Sequence, residues 1–235
     1  EKITALISVP EFNDGEYLTM VTKCGVIKRT PIKEYEYQRK GGKIAINLDE
    51  GDELVFVMHT ADDCEILLAT ANGCAVRYSV DNVRSMGRTA RGVRGIALRD
   101  GDYVTGVAVV DETKDLITIT RNGYGKRTPF ENFREMKHRG GHGVVCHNLS
   151  EKTGKLCGIA AVDDEDDIMM ITDSGTIIRT PARDIPSYSR TAGGVIVMRL
   201  SEGQTLVNFT KVKREEDEEI EEATELPEEV VATEE

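Results

Sequence analysis

Basic side chains recur together with glycines at four places in this sequence, about 50 residues apart. Lysine and arginine neutralise phosphate groups, and glycine lets backbone amides approach an anion closely because it has no side chain. This combination, found at the same place in each repeat, predicts a binding surface for nucleic acid. The candidate DNA-binding residues are Lys28, Arg29, Arg39, Lys40, Lys43, Arg77, Arg88, Arg91, Arg94, Lys126, Arg127, Lys137, His138, Arg139, Arg179 and Arg190.

A simpler interpretation is that these loops are charged only because they face water. For a single loop that interpretation is favoured, but four loops with the same sign at the same position favour a common ligand. Tyr37 and Tyr188 are the only aromatic residues in the loops, so stacking on single-stranded bases is not expected. The expected mode is contact with the backbone of a duplex, largely independent of its sequence.

No set of residues predicts catalysis or a resident metal. His138 and His142 are spaced like a metal-binding pair, but no carboxylate or cysteine set accompanies them. The five cysteines form no CxxC pair, which is typical of reduced structural thiols. The sequence contains no phosphate-binding loop, nucleophile elbow or HExxH motif. We therefore expect no catalytic residue, metal or cofactor in this chain.

The elements that carry the basic residues repeat four times. Each repeat contains a threonine, a turn glycine three residues later and an arginine four residues after that, first as Thr22, Gly25 and Arg29. This motif predicts a β-hairpin, and Asn-Gly, which occurs at two of the turns, favours a type I′ turn. The turn glycines are Gly25, Gly73, Gly123 and Gly175, at steps of 48, 50 and 52 residues.

After the hairpin, each unit continues into a basic loop, a short strand, an acidic turn and a closing strand. With β-branched enrichment and no helical period, this predicts an all-β, propeller-like array of four-stranded blades. Closing strands occur five times against four hairpins. Residues 1–9 are therefore interpreted as the last strand of an absent repeat, and the chain as the C-terminal part of a longer protein. The strands expected after the loops are 44–48, 95–98, 144–149 and 195–200.

Charge divides the 235-residue chain into two parts. The net charge is −12, but residues 213–235 carry 12 acidic and 2 basic residues, which leaves −2 for the rest. We expect a folded domain at 1–212 and a disordered acidic tail at 213–235. No apolar run approaches the roughly 20 residues that span a bilayer, so no membrane partner is expected. The repeats are expected at about 1–60, 61–110, 111–162 and 163–212.

Three segments, taken together with the four hairpins, form a pattern specific enough to indicate a family. They are the loop 38–43 (QRKGGK) and the segments 86–93 (MGRTARGV) and 122–129 (NGYGKRTP). Together they resemble the C-terminal domain of the A subunit of bacterial DNA gyrase, over residues 1 to about 212. The resemblance implies a β-pinwheel, a propeller-like disc whose blades exchange strands and whose rim wraps DNA.

One motif departs from the family. The family's box reads Gln-Arg-Arg-Gly-Gly-Lys-Gly, whereas this sequence has Lys40 in the third position and Ile44 in the last. Residues 137–143 form a second, also imperfect, box. The resemblance therefore implies that two further blades, the true box and the strand-passage tyrosine lie upstream of this sequence.

The resemblance also implies a function, the binding and bending of duplex DNA around a basic rim in support of ATP-dependent negative supercoiling by a type IIA topoisomerase. The implied partners are duplex DNA, the B subunit of gyrase and the N-terminal part of its A subunit. The implied location is the nucleoid in the bacterial cytoplasm. ATP and Mg²⁺ would act elsewhere in the holoenzyme. The alternatives are a protein-interaction propeller, for which few aromatic residues are available, and the equivalent domain of a topoisomerase IV subunit.

Overall fold

The computed structural model describes residues 3–37 and 40–214, and the regular elements in these ranges are β-strands and short 3-10 helices. This confirms the all-β prediction. Arg39 and the acidic tail from residue 215 onward lie outside the described residues. None of the described helices is long and apolar enough to cross a membrane. The strands are β1 Glu16–Thr22, β2 Val26–Pro31, β3 Leu54–Ala61, β4 Glu65–Thr70, β5 Cys74–Ser79, β6 Val93–Arg94, β7 Val104–Val109, β8 Asp115–Thr120, β9 Tyr124–Pro129, β10 Val144–Val145, β11 Leu156–Val162, β12 Asp166–Thr172, β13 Ile177–Pro181, β14 Val195–Ile196 and β15 Leu206–Lys213.

The hairpin turns explain the threonine and the glycine of the repeat. The amide of Gly25 donates to the carbonyl of Thr22 (3.0 Å), and the amide of Val26 donates to the Thr22 hydroxyl (3.2 Å). Gly25 has a φ of +83°, which glycine adopts without strain. Among the described residues only one non-glycine residue has positive φ, and it is neither Asn72 nor Asn122. The predicted type I′ turn, which needs positive φ at both central residues, is therefore wrong.

Each of the first three blades is a four-stranded antiparallel sheet that contains one strand of the next repeat. The first hairpin strand pairs on one side with the closing strand and on the other with the second hairpin strand. A two-residue strand from the following repeat then pairs with the outer side of that second strand, which confirms the exchange of strands. The sheet orders are β3-β1-β2-β6, β7-β4-β5-β10, β11-β8-β9-β14 and β15-β12-β13.

The closing strands lie on the inside of the array and the exchanged strands on the outside. Consecutive blades touch through their closing strands, β3 with β7, β7 with β11 and β11 with β15. A Cβ on Gly106 of β7 would lie only 2.5 Å from Cγ1 of Ile159 in β11, so glycine permits this approach. The opposite edge of each sheet, which carries the exchanged strand, therefore faces outward.

The hydrophobic core consists of three clusters, each between two consecutive blades. The first cluster joins Val21 and Ile27 of the first blade to Leu68 and Val76 of the second. The other two clusters join the second blade to the third and the third to the fourth in the same way. A blade therefore buries its apolar faces only against its neighbours, as expected for a repeat architecture.

Three of the predicted strands do not form. Residues 3–9 are irregular, and Ile3 and Leu6 are 92% and 96% exposed. Each closing strand pairs with the hairpin that precedes it in the chain, and no hairpin precedes residues 3–9 in this sequence, so the strand prediction there is wrong. Residues 44–48 and 95–98 are also irregular, and the second repeat has its short strand at Val93–Arg94, just before the predicted range. The strands of the third and fourth repeats are shorter than predicted, because the amides that follow them turn towards the preceding blade's turn glycine.

Candidate nucleic-acid interface

The arginine of the hairpin motif connects neighbouring blades. Arg29 is 4% exposed, pairs with Asp62, and lies 3.5 Å from a carboxylate oxygen of Asp81. Both aspartates lie in the chain beyond the first blade's closing strand. The guanidinium also stacks over the ring of Tyr17, 3.7 Å from its centroid, and the carbonyl of Arg29 accepts the amide of Met86 (2.8 Å). Arg29 therefore holds the second repeat against the first.

Arg77 makes the same connection between the second and third blades. Its Nε donates to Glu65 of its own blade (2.5 Å), and its Nη2 pairs with Glu112. Its Nη1 donates to the carbonyls of Phe130 (2.8 Å) and Phe133 (3.1 Å) in the third repeat. Arg77 is 8% exposed, so most of its donors are used inside the protein.

Arg127 repeats the pattern one blade further along. Its Nε donates to the carbonyl of Ile185 (2.7 Å), and its Nη1 pairs with Asp164 (2.5 Å). Its backbone amide donates to the carbonyl of Pro186 (3.0 Å), and its carbonyl accepts a hydrogen bond from the amide of Tyr188 (2.9 Å).

Arg179 lies in the fourth blade, and within residues 3–37 and 40–214 no later repeat contacts it. Its side chain is 45% exposed, and its partners are Asp167 (2.7 Å) and the carbonyl of Lys213 (3.4 Å). The sequence analysis names all four hairpin arginines as DNA-binding candidates, whereas in the structure only Arg179 among them has a largely exposed side chain. Arg29, Arg77 and Arg127 lie inside contacts between blades, and we leave them out of the DNA surface proposed below.

Two lysines, each directly before a hairpin arginine in the chain, bind the backbone of the loops that follow the hairpins. Lys28 and Lys126 are both fully buried. The Lys28 ammonium donates to the carbonyls of Ala45 and Arg88, and the Lys126 ammonium donates to that of Ser189 (2.6 Å). Burial lowers the pKa of each to about 8. The sequence analysis names both lysines as DNA-binding candidates. In the structure they are buried beneath the loops, where their ammonium groups bind backbone carbonyls.

His147 is a buried residue that sequence reasoning missed, because the equivalent positions in the other repeats are apolar and offer no repeated signal. Its Nδ1 lies 2.9 Å from the Thr118 hydroxyl, and its Nε2 lies 3.0 Å from the carbonyl of Gly193. Burial, together with the nearby charge of Lys126, lowers the pKa of His147 to about 4. The imidazole is therefore neutral, with Nε2 donating to the carbonyl, which can only accept.

The remaining candidates lie on four segments along the outer edge, here called the rim loops. The rim loops are residues 40–43, 84–94, 134–143 and 183–194. The second, third and fourth rim loops lead into, or contain, an exchanged strand, so these three lie on consecutive blades. The exposed candidates are Lys40, Arg91, Arg94, Lys137 and His138, and the partly buried ones are Lys43, Arg88, Arg139 and Arg190.

Arg139 and Arg190 connect the third and fourth rim loops to the exchanged strand that lies before them in the chain. Arg139 donates from Nη1 to the carbonyl of Arg94 (2.7 Å) and from Nε to that of Asn82 (3.0 Å). Arg190 donates from Nη1 to the carbonyl of Val145 (2.8 Å). Both thus hold the exchanged strand of the preceding repeat while remaining partly exposed, so that the last three rim loops form a linked series.

Some rim cations are paired with surface carboxylates. The Nη1 of Arg91 lies 2.7 Å from Asp49, although 72% of the Arg91 side chain is exposed. The Nε of Arg88 lies 3.7 Å from Glu34. Such exposed pairs contribute little stability, so a phosphate can replace the carboxylate at small cost.

Three further arginines belong to the same surface. Arg84, Arg134 and Arg183 are exposed in the rim loops. A sequence signal for two of them exists, because Arg84 and Arg134 each follow the hairpin arginine of their repeat by seven residues. In the part of the chain that the structure describes, no group of three or more His, Cys, Asp or Glu side chains is placed to hold a metal ion.

Known proteins share this repeat and this fold. The family model of the DNA gyrase C-terminal domain, a β-propeller, matches residues 16–61, 65–111, 114–163 and 166–213, once per blade. The DNA gyrase A subunit of Staphylococcus epidermidis is 41% identical over 220 residues, which are 92% of this chain and 24% of that protein. The Escherichia coli K12 protein of the same name is 40% identical over 219 residues, 93% of this chain and 25% of that protein. The chain thus spans about a quarter of the length of these relatives.

Two solved structures superimpose on most of the chain. The C-terminal domain of DNA topoisomerase IV has a TM-score of 0.82 at 28% identity and covers 88% of this chain and 65% of that one. The C-terminal domain of DNA gyrase A has a TM-score of 0.78 at 27% identity, with 86% and 68% covered. Because the family model matches blade by blade, this chain belongs to the family of DNA gyrase C-terminal domains.

Proposed function

We propose that this chain binds duplex DNA along its rim loops and bends it around the outer edge of the array, as the wrapping domain of a DNA gyrase A protein. The observation that supports this most directly is the linked series of rim loops, with exposed cations on consecutive blades at one edge. A DNA backbone presents phosphates at regular intervals, and a repeat architecture presents cations in the same manner.

The expected recognition is of the backbone and not of the bases. The two-residue exchanged strands and the loops offer no helix or ribbon for the major groove. Smooth bending of a few tens of base pairs costs on the order of 1–6 kcal/mol. Several phosphate contacts must offset this cost, which explains why the surface extends over several blades.

In the whole protein, the bent duplex would be presented to the B subunit of gyrase and to the N-terminal part of its A subunit, where ATP and Mg²⁺ would act. The similar topoisomerase IV domain makes an equivalent role in that enzyme the second candidate. The two differ in whether the wrap has one handedness. Relaxing a closed circular plasmid with a nicking-closing topoisomerase in the presence of the chain distinguishes them, because only a chiral wrap changes the linking number.

The central test is the salt dependence of binding to a fluorescent duplex of about 40 base pairs, measured by anisotropy. With about two phosphate contacts per blade over four blades, the slope of log K against log salt should be roughly −7. An affinity that does not change with salt, or no shift of the duplex, would overturn the proposal and favour a protein-interaction propeller.

Alanine variants test which side chains contact the DNA. Replacing Arg91, Lys137 and Arg183 by alanine together should make the slope shallower by roughly 2.7, since each lost phosphate contact changes it by about 0.9. The matched control is Lys114→Ala, because Lys114 lies between the acidic side chains of Asp111 and Asp163. A slope that responds to Lys114 but not to the rim triple would place the DNA elsewhere.

A further inference from the structure

The surface between the third and fourth rim loops contains a cavity of about 360 Å³, lined by Asn132, Arg134, Val144 and Arg190. Among these described lining residues two are cationic and none carries a carboxylate. Arg134 is exposed and Arg190 is partly exposed, so both side chains are accessible to an ion from solvent. Two like charges that line one cavity repel each other, and an anion bound between them would remove this repulsion.

The Arg190 side chain is fixed at the cavity by the protein backbone. Its Nη1 donates to the carbonyl of Val145 (2.8 Å), which uses one of the five N–H donors of the guanidinium. Within residues 3–37 and 40–214, neither Arg134 nor Arg190 forms an ion pair. The cavity thus combines one positioned guanidinium with a second one on the neighbouring rim loop.

The junction between the second and third rim loops has the same components. Arg139 and Arg190 each stand four residues before the glycine that precedes an exchanged strand. The Nη1 of Arg139 donates to the carbonyl of Arg94 (2.7 Å), as that of Arg190 does one blade later. The Nε of Arg139 donates to the carbonyl of Asn82 (3.0 Å), two residues before Arg84. Arg84 therefore stands to Arg139 as Arg134 stands to Arg190.

The junction between the first and second rim loops differs in charge. Arg88 occupies the position of the later arginines, and its Nη1 lies 3.4 Å from the carbonyl of Ile44. Its Nε, however, lies 3.7 Å from the carboxylate of Glu34. Glu34 and Glu36 stand at the two positions that are asparagine and arginine in the second and third repeats. At this junction a carboxylate of the protein already accompanies the arginine, in a place that is open to an external anion at the other two.

We propose that the cavity is a phosphate pocket in which Arg134 and Arg190 bind one phosphate group together. Arg84 and Arg139 form a second pocket one blade earlier, and Glu34 closes the first junction. Guanidinium suits this ligand because its planar fork binds two phosphate oxygens at once. That the phosphate belongs to the backbone of a duplex rests on the proposed function, whereas the pocket itself would also bind free inorganic phosphate.

The first test asks whether the two arginines share one phosphate. Separate contacts would make the salt slope of duplex binding shallower by about 1.8 in the Arg134→Ala, Arg190→Ala double variant, and a shared contact by only about 0.9. The control pair is Arg91→Ala with Lys137→Ala, which lie on different rim loops and should add to about 1.8. Arg190→Lys keeps a donor for Val145 but lacks the planar fork, so it should weaken duplex binding without lowering the melting temperature.

The second test opens the closed junction. Replacing Glu34 by asparagine and Glu36 by arginine gives the first junction the residues of the other two, so the slope should become steeper by about 0.9. The matched control is Glu151→Asn with Glu202→Arg, which makes the same change in net charge at two exposed positions outside the rim loops. Equal steepening by the control would show an effect of overall charge and would contradict the pocket.

The third test needs no DNA. Addition of inorganic phosphate should shift the Nε–Hε NMR signals of Arg134 and Arg190 along one saturation curve, with sodium chloride at equal ionic strength as the control. Arg134→Ala should abolish the shift of Arg190. Such shifts together with a duplex slope that responds to neither arginine would support the pocket and assign it to free phosphate.

The inference is overturned if the two arginines act additively on the duplex slope and inorganic phosphate shifts neither signal. Duplex binding with a steep salt slope would then still stand, and only the pocket would be lost. Conversely, phosphate-dependent shifts without any duplex binding would overturn the proposed function and leave the pocket. The two failures are therefore distinguishable.

Discussion

Replacing Arg77 by methionine separates the two roles that a repeated arginine could have. Methionine retains the length and apolar character of the side chain but removes every donor. The change leaves Glu65 without its ion pair and two carbonyls, of Phe130 and Phe133, without their donor. If Arg77 holds two blades together, the loss appears in stability; if it contacts phosphate, the loss appears in DNA binding.

The size of the stability loss can be worked out from the contacts. Removing one partner of a fully buried ion pair costs about 3–5 kcal/mol, but the Glu65 and Glu112 side chains are 29% and 56% exposed and keep part of their hydration. We therefore expect the lower end, about 3 kcal/mol. For a domain of this size that lowers the melting temperature by roughly 6–12 °C.

The assay combines thermal unfolding with the salt dependence of duplex binding, measured below the melting temperature of the variant. Arg77→Met should lower the melting temperature and leave the salt slope unchanged. Lys137→Ala should do the reverse, since Lys137 is exposed: its slope should become shallower by about 0.9, with no change in melting temperature. The reasoning is refuted if Arg77→Met unfolds at the wild-type temperature but has the shallower slope.

The other predictions concern buried and terminal charges. Burial lowers the pKa of Lys126 to about 8. The buried ammonium therefore destabilises the fold below pH 8, and this penalty disappears as the pH rises towards 10.5. The unfolding free energy of the wild type relative to Lys126→Met should rise by about 3 kcal/mol between these two pH values. His147 has a pKa of about 4, and its neutral form stabilises the fold above pH 6.5. This contribution is lost as the pH falls towards 4. The unfolding free energy measured with urea should therefore fall by about 3 kcal/mol over this range, and His147→Gln should lack this decrease. Arg179→Ala should cost about 1 kcal/mol or less, because Arg214 still pairs with Asp167; a loss as large as that of Arg77→Met would contradict the assignment of Arg77 to a contact between blades.

The hairpins were predictable because their signals are local. A threonine whose hydroxyl accepts an amide four residues later, and a glycine at positive φ, are set by neighbouring residues, as in Thr22 and Gly25. The rim loops were predictable as well, because glycine and arginine in a connecting segment favour exposure. The exchanged strands were harder to delimit, since a strand of two residues such as Val93–Arg94 has no period to detect.

The candidate site was only partly predictable, for a different reason. Arg29 and Arg91 are the same residue type in the same repeat pattern, yet Arg29 is 4% exposed while the Arg91 side chain is 72% exposed. The sequence shows the charge of a side chain, but it does not show whether the folded chain buries that side chain. Burial here depends on the neighbouring blade, which supplies Asp62 and Asp81 to Arg29.

By itself, the sequence determined the all-β class, the number of hairpins and the four basic loops, because each follows from local chemistry repeated at a nearly constant interval. Only the tertiary structure decided which of the repeated cations face water. Stacking of the blades buries most of the Arg29, Arg77 and Arg127 side chains and the lysines before two of them, while the exchanged strands keep the rim loops at the outer edge. The same stacking leaves β13 with an unpaired edge, since its partner strand in every other described blade comes from the repeat that follows.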